Sequence, residues 1–213
     1  MASKNAYLGA CVLCGLELKK SGATRHVSTC PARTSGRGSV FHLVVESAEY
    51  RDFWLHLHVK TTAKLSTLDA FLRETWLECC GHLSAFEIAG ERYESMVDPS
   101  WGTGSRRMSF PLSSIVSKGT TFRYEYDYGS TTPLTVRCVG TVEGVLARPE
   151  VTLLARNHVP DLRCDECGDR ATWLGDVALC QPCAGVEDPE DCWEEGLLPV
   201  VNSPRMGVCG YAG

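Results

Sequence analysis

Apolar residues dominate two neighbouring runs that read as strands, FHLVVES at 41–47 and FWLHLHVK at 53–60, and the second alternates apolar with polar positions. In the second run Phe53, Leu55, Leu57 and Val59 fall on one side and Trp54, His56, His58 and Lys60 on the other. A period of two describes a strand with one buried face, and the short segment between the runs allows a hairpin. His56 and His58 then sit together on an outer, half-exposed face, where they need no ligand. The period changes at 66–80: Leu68, Phe71, Leu72 and Trp76 recur at helical spacing. Ser66 and Asp69 form an S-x-x-D pattern expected to cap this helix, and Gly81 is placed to end it. HLSAFEIAG at 82–90 predicts a strand and a turn. TTFRYEYDY, TPLTVRCVGTVEG and EVTLLAR predict three more strands, the first two joined by a turn around Gly129. Residues 95–109, rich in Gly, Ser and Arg, read as an irregular loop, and PLSSIVSKG at 111–119 as one or two helical turns. The central pattern is α+β, a mainly antiparallel sheet with one principal helix.

Both ends lack such periodicity and carry cysteines instead. The second cluster reads Cys164-x2-Cys167, twelve residues, then Cys180-x2-Cys183. Two CxxC turns at this separation predict a four-cysteine zinc knuckle or ribbon, because four thiolates close a tetrahedron and each turn presents two sulfurs on one side. The first cluster reads Cys11-x2-Cys14, eleven residues, His26-x3-Cys30. It predicts a C2HC zinc finger with Leu18 as its small core, too short to fold without metal. Two structural zinc ions are expected, with neither site catalytic, since four protein ligands leave no position for water. TSGRGS at 34–39 reads as a linker. The expected organisation is a finger over 1–34, an α+β domain over 40–156, a four-cysteine knuckle over 164–185, and an acidic segment with an apolar tail over 186–213.

The chain holds 12 cysteines in 213 residues, which in a reducing compartment points to metal before disulfides. Five lie outside the two clusters: Cys79, Cys80, Cys138, Cys192 and Cys209. Cys138 falls in a predicted strand and reads as a small buried apolar group. Cys79, Cys80 and His82 flank the helix end. They can be argued as a third metal site or an activated thiol, yet adjacent side chains diverge, so packing is the expectation. No run of apolar residues is long enough to span a bilayer, and the amino terminus lacks the core of a secretion signal, so a cytoplasmic protein without membrane association is expected. The net charge of −5 argues against coating nucleic acid by bulk electrostatics. Charge is nevertheless uneven: Lys4, Lys19, Lys20, Arg25, Arg33 and Arg37 oppose only Glu17 over residues 1–39, while an acidic run occupies Asp188 to Glu195.

LSTLDAFLRETWLECCGHLSAFEI at 65–88, followed by FRYEYDYGSTTPLTV at 122–136, resembles the plasmid pRiA4b ORF-three-like domain, also labelled an insertion-element passenger protein. The pieces that carry the resemblance are the helix with Leu68, Phe71, Leu72 and Trp76, the strand of His82, Leu83 and Phe86, and the hairpin from Tyr124 to Gly129, in family order. The resemblance spans 40–155 and implies an α+β fold without implying a chemistry. Cys79-Cys80-Gly81 stands where family members commonly carry an aromatic, glycine-containing turn. NSPRMGVCGY at 202–211 looks like a recurring ending, and physically reads as an apolar segment docked on the sheet or a peptide displayed to a partner, docking being favoured.

Enzyme motifs are missing at specific positions. Pro182-Cys183 lacks the second cysteine of a zinc deaminase, and the chain has no HExxH, GxSxG or GxxxxGK[ST]. Along YEYDYG, Tyr124, Tyr126 and Tyr128 share one strand face and Glu125 and Asp127 the other, a half-buried hairpin and not an acid/base pair. No catalytic residue is assigned. The reading is a zinc-binding, non-enzymatic interaction or regulatory protein whose basic finger contacts nucleic acid through Lys19, Lys20 and Arg25. The alternatives are a protein adaptor acting through the four-cysteine module and acidic tail, and a metal or thiol enzyme with an unrecognised pocket.

Overall fold

A computed structural model describes residues 8–98, 100, 102, 104–146, 148–185 and 196–213. The acidic run from Asp188 to Glu195, and Cys192 within it, lie outside the described residues. Among these, ten strands form one sheet: β1 (Leu8–Cys11), β2 (Glu17–Lys19), β3 (Ser35–Ser47), β4 (Trp54–Lys60), β5 (Ser84–Ile88), β6 (Glu91–Glu94), β7 (Arg106–Arg107), β8 (Thr121–Tyr126), β9 (Thr132–Val145) and β10 (Val151–Asn157). Their order is β2-β1-β10-β4-β3-β9-β8-β5-β6-β7. All neighbours are antiparallel except β6 and β7. The mixed α+β, mainly antiparallel architecture is as the alternation predicts. A second, three-stranded sheet of β11 (Trp173–Leu174), β12 (Ala178–Leu179) and β13 (Leu198–Pro199) has the order β12-β11-β13.

A first helix, α1 (Lys20–Thr29), belongs to the amino-terminal cysteine cluster. The principal helix α2 runs Leu65–Leu72 and continues as a π-helical turn over Arg73–Leu77. Leu65, Leu68, Leu72 and Trp76 are fully buried against Leu43, Leu55, Leu57, Phe86 and Tyr124 from the sheet. Burial of such side chains contributes roughly 1.5–3 kcal/mol each. The expected S-x-x-D cap does not form. The helix starts at Leu65 with Lys64 in the cap position, two residues before Ser66, and the Leu65 and Ser66 amides donate to the carbonyls of Phe110 and Met108, each at 3.0 Å. That frees Asp69 for the core, where its Oδ1 accepts from Ser84 Oγ at 2.6 Å and Tyr124 OH at 2.8 Å. Nor does Gly81 end the helix directly: Glu78 is already extended, and Gly81, at φ 81°, shapes the following bend.

Two further departures concern the sheet. The linker read at 34–39 belongs largely to β3, which begins at Ser35 and pairs along β9, with register shifts that absorb the glycines. The stretch read as loop from Ser95 to Ser109 contains β7, which pairs with β6, itself an additional strand that follows β5 across a turn at Ala89-Gly90. The strands β1 and β2 of the first cysteine cluster extend the main sheet through β10, Gly9 opposite Asn157 and Cys11 opposite Ala155.

Candidate metal centres

The first cluster is a ββα unit. Cys11 and Cys14 sit at the turn between β1 and β2, closed by the Gly15 amide donating to the Cys11 carbonyl at 2.8 Å. The helix α1 carries His26, with Cys30 at its end. A spacing of four puts His26 and Cys30 on one helix face. Sγ of Cys11 lies 3.8 Å from Sγ of Cys30, and Sγ of Cys14 lies 3.4 Å from Nε2 of His26. Tetrahedral zinc with bonds of about 2.3 Å to sulfur and 2.0–2.1 Å to nitrogen has S···S edges of about 3.8 Å and S···N edges of about 3.5 Å. Leu18, Ala23 and Val27 form the core beneath, joined by Trp54, Leu154 and Ala155 of the sheet.

In the second cluster Cys164 and Cys167 flank a turn in which the Gly168 amide donates to the Cys164 carbonyl at 2.9 Å. Cys180 caps the short helix α3 (Gln181–Ala184), which contains Cys183. Cys167 and Cys180 sulfurs are 3.5 Å apart. Trp173 and Leu197 supply the small core, and Trp173 Nε1 donates to Gln181 Oε1 at 2.6 Å. The amides of Cys180, Cys167 and Glu166 point at the Cys164 sulfur and lower its thiol to about 6, enough to favour thiolate at neutral pH. In the first cluster burial raises Cys11 to about 11, whereas the Leu16 amide lowers Cys14. A bound cation would override the Cys11 shift, since a coordinating thiol is deprotonated outright.

The ligand atoms of Cys11, Cys14, His26 and Cys30, and those of Cys164, Cys167, Cys180 and Cys183, lie within 4.8 Å of one another in each set. A third set among the described residues does the same: Cys79, Cys80, His82 and Cys209. Sequence spacing does not reveal it as a unit, because Cys209 comes from the far end of the chain. The expectation that Cys79 and Cys80 diverge holds for a strand; in the bend after the π turn their sulfurs are 3.7 Å apart. Cys138 is buried in β9, as expected.

The histidines on β4 are not half-exposed. His56 and His58 are buried, and with His42 of β3 they form a cluster in which His42 Nε2 lies 2.9 Å from His56 Nδ1. Both faces of β4 are covered, so alternation there separates two buried environments. Burial, reinforced by mutual repulsion and by Arg137, holds His42 at about 4 and His56 at about 3, and burial with Arg33 nearby holds His58 at about 4. All three are neutral at pH 7.

Of the basic residues singled out, Lys19 and Arg25 are exposed. Lys20 instead reaches Glu46 at 2.9 Å and the Arg51 carbonyl at 2.8 Å, fastening the finger to the sheet. The carboxy-terminal tail docks. Arg205, completely buried, donates to Asp127 Oδ2 at 2.7 Å, to the Ser130 carbonyl at 3.0 Å and to Thr132 Oγ1 at 3.0 Å. Ser203 Oγ donates to the Trp76 carbonyl. Asp127 does not continue the β8 alternation, because the strand stops at Tyr126 and Asp127 takes φ 65°, turning its carboxylate toward the tail.

Fold and clusters together define a mixed α+β protein with several Cys/His sets arranged to hold metal ions. No family model and no curated protein matches the chain. A solved structure similar to it is a protein of unknown function, MM3350, from Methanosarcina mazei Go1, at 17% identity and a TM-score of 0.49, covering 63% of this chain and 76% of that one. No helix among the described residues is long and apolar enough to cross a membrane.

Proposed function

We propose that this is a cytoplasmic, zinc-stabilised interaction protein without catalytic activity, whose amino-terminal finger contacts nucleic-acid phosphate. The observation that carries the reading is the ββα unit itself: its four soft and borderline ligand atoms lie within 4.8 Å of one another, with the Cys11–Cys30 and Cys14–His26 pairs near tetrahedral edge lengths, and Lys19 and Arg25 are exposed on it. Thiolate and imidazole together favour zinc over hard cations. The second centre, with four sulfurs and no hard ligand, suits zinc equally. Between them, the large sheet acts as a scaffold, and we read it as a plasmid pRiA4b ORF-three-like domain on the order of its helix, His82-to-Phe86 strand and Tyr124-to-Gly129 hairpin.

The test is binding to duplex DNA by fluorescence anisotropy between about 50 and 200 mM salt. Affinity falls steeply with salt, and Lys19→Ala/Arg25→Ala both weakens it and flattens the salt slope by about one unit for each phosphate no longer neutralised. Lys20→Ala has the smaller effect, because Lys20 is engaged by Glu46. Salt-independent or absent binding removes the nucleic-acid reading. The commitment of Lys20 to Glu46 favours the competing adaptor reading, since it leaves fewer cations for phosphate. Under that reading, deleting 164–195 abolishes partner capture and deleting the finger does not.

A further inference from the structure

Two tight turns recur in the end clusters: Cys14 is followed by Gly15 at φ 74°, and Cys167 by Gly168 at φ 79°. Glycine adopts this left-handed conformation without the penalty of a Cβ, and the turn lets backbone fold back beside the sulfur. The same step occurs twice more, at Cys80-Gly81 with φ 81° and at Cys209-Gly210 with φ 67°. These two turns are 129 residues apart in sequence and face each other.

Cys80 Sγ lies 3.7 Å from Cys209 Sγ and 3.7 Å from Cys79 Sγ. His82 Nε2 lies 3.3 Å from Cys209 Sγ and 2.9 Å from Cys80 Sγ. The sulfur separations match a tetrahedral edge of about 3.8 Å around zinc and are far beyond a disulfide bond of about 2.05 Å. The short Cys80–His82 approach opens by rotation of an exposed side chain.

The surroundings also have the form of a ligand's support. With Nε2 facing the sulfurs, His82 Nδ1 faces Asp127 Oδ1 at 3.5 Å. A metal-bound histidine characteristically offers its second ring nitrogen to a carboxylate, which fixes its tautomer and orientation. Asp127 is itself held, by the Gly129 amide at 2.9 Å and by Arg205 at 2.7 Å. His82 packs edge-on against Tyr126, ring centroids 5.7 Å apart. Arg205 precedes Cys209 by four residues, so one tail segment supplies both a ligand and the support of another.

We propose that Cys79, Cys80, His82 and Cys209 bind a third zinc ion, which clasps the carboxy-terminal tail to the end of the principal helix. Binding replaces three S–H bonds by Zn–S bonds and releases those protons to solvent, with no change of oxidation state. Four protein ligands make the site closed and structural.

The test is zinc content of the full chain, purified with zinc under reducing conditions, by native mass spectrometry and elemental analysis. Cys80→Ser/Cys209→Ser carries one zinc ion fewer per chain than the unmodified protein. That difference is independent of whether the end sites fill, whose loss is read separately in Cys11→Ser/Cys14→Ser and Cys164→Ser/Cys167→Ser. Equal zinc content in the two chains overturns the proposal. A second readout needs no variant: N-ethylmaleimide modifies Cys209 slowly in the zinc-loaded protein and at least tenfold faster after chelation. Rapid modification of zinc-loaded protein, or a Cys80–Cys209 disulfide in protein kept under reductant, also overturns it.

Discussion

Lowering the pH from 7.5 to 5.5 should destabilise this protein through the neutral histidines beneath its finger. His42, His56 and His58 have folded pKa values of about 4, 3 and 4. In the unfolded chain each returns to an ordinary value near 6.5. Depressed histidine values mean that the unfolded state binds more protons, so the stabilisation is fully present above pH 6.5 and is lost as pH falls toward 4. At pH 5.5 each histidine that must stay neutral when folded contributes about 1.4 kcal/mol in favour of unfolding, nearly independent of how far below 5 its folded value lies. For three the loss between pH 7.5 and 5.5 is about 4 kcal/mol, a large share of the roughly 5–15 kcal/mol typical of a folded chain. Urea unfolding in saturating zinc at several pH values measures it. Acid also weakens thiolate ligation, so the decisive comparison is His42→Leu/His56→Leu, which removes both partners of one hydrogen bond and leaves the cysteines intact. Its loss over the same range should be smaller by about 2.7 kcal/mol. Equal pH dependence in the two chains, or histidine ring resonances of His42 and His56 titrating near 6.5, would refute the reasoning.

Arg205→Ala should destabilise the chain by about 3–5 kcal/mol, because it leaves the Asp127 carboxylate buried without its partner; a urea midpoint within error of the unmodified protein would count against that. Asp69→Ala should cost about 2–3 kcal/mol by stranding Tyr124 OH and Ser84 Oγ, and Tyr124→Phe less than half of that, both read in the same assay. Chelation should raise amide exchange over 8–30 and 164–184, and over 79–82 and 206–211 where the third site clasps the tail, while leaving β3, β4 and β9 protected, since the sheet has its own apolar core. Uniform deprotection, or none, would contradict that division.

The elements most legible in the sequence are those in which one periodicity governs one buried face. The strands β8 and β9, in which buried and less buried positions alternate, and the apolar stripe of α2 meet that condition, whereas β3 and β4 are legible as strands although most of their length is buried on both faces. The start of α2 departs from its capping pattern because such a pattern describes an exposed helix end, whereas here the first amides find carbonyls at Met108 and Phe110. Asp69, freed from capping, is a buried acceptor instead. The histidines of β4 depart from expectation for a related reason. Alternation separates two faces without saying that one of them meets water, and the ββα unit covers the second face.

Local spacing serves metal ligands well only when the ligands are close in sequence. Cys11, Cys14, His26 and Cys30, like the four cysteines from 164 to 183, come as two short turns or a turn and a helix, so separation alone assembles them. Cys209 and Cys80 are 129 residues apart and meet only through the tertiary fold, in which Arg205 of the same tail is docked on Asp127. A conformational signal is nevertheless present in the sequence, the Cys-Gly step shared by Cys14, Cys80, Cys167 and Cys209. Its meaning depends on a turn, and a helical pattern that runs through to Gly81 conceals the turn at 78–81. The π turn at Arg73–Leu77 ends that helix early, and the extended Glu78 swings Cys79 and Cys80 to the same side. A change of a few residues in where a helix stops therefore decides whether two adjacent thiols are filler in a core or half of a coordination sphere.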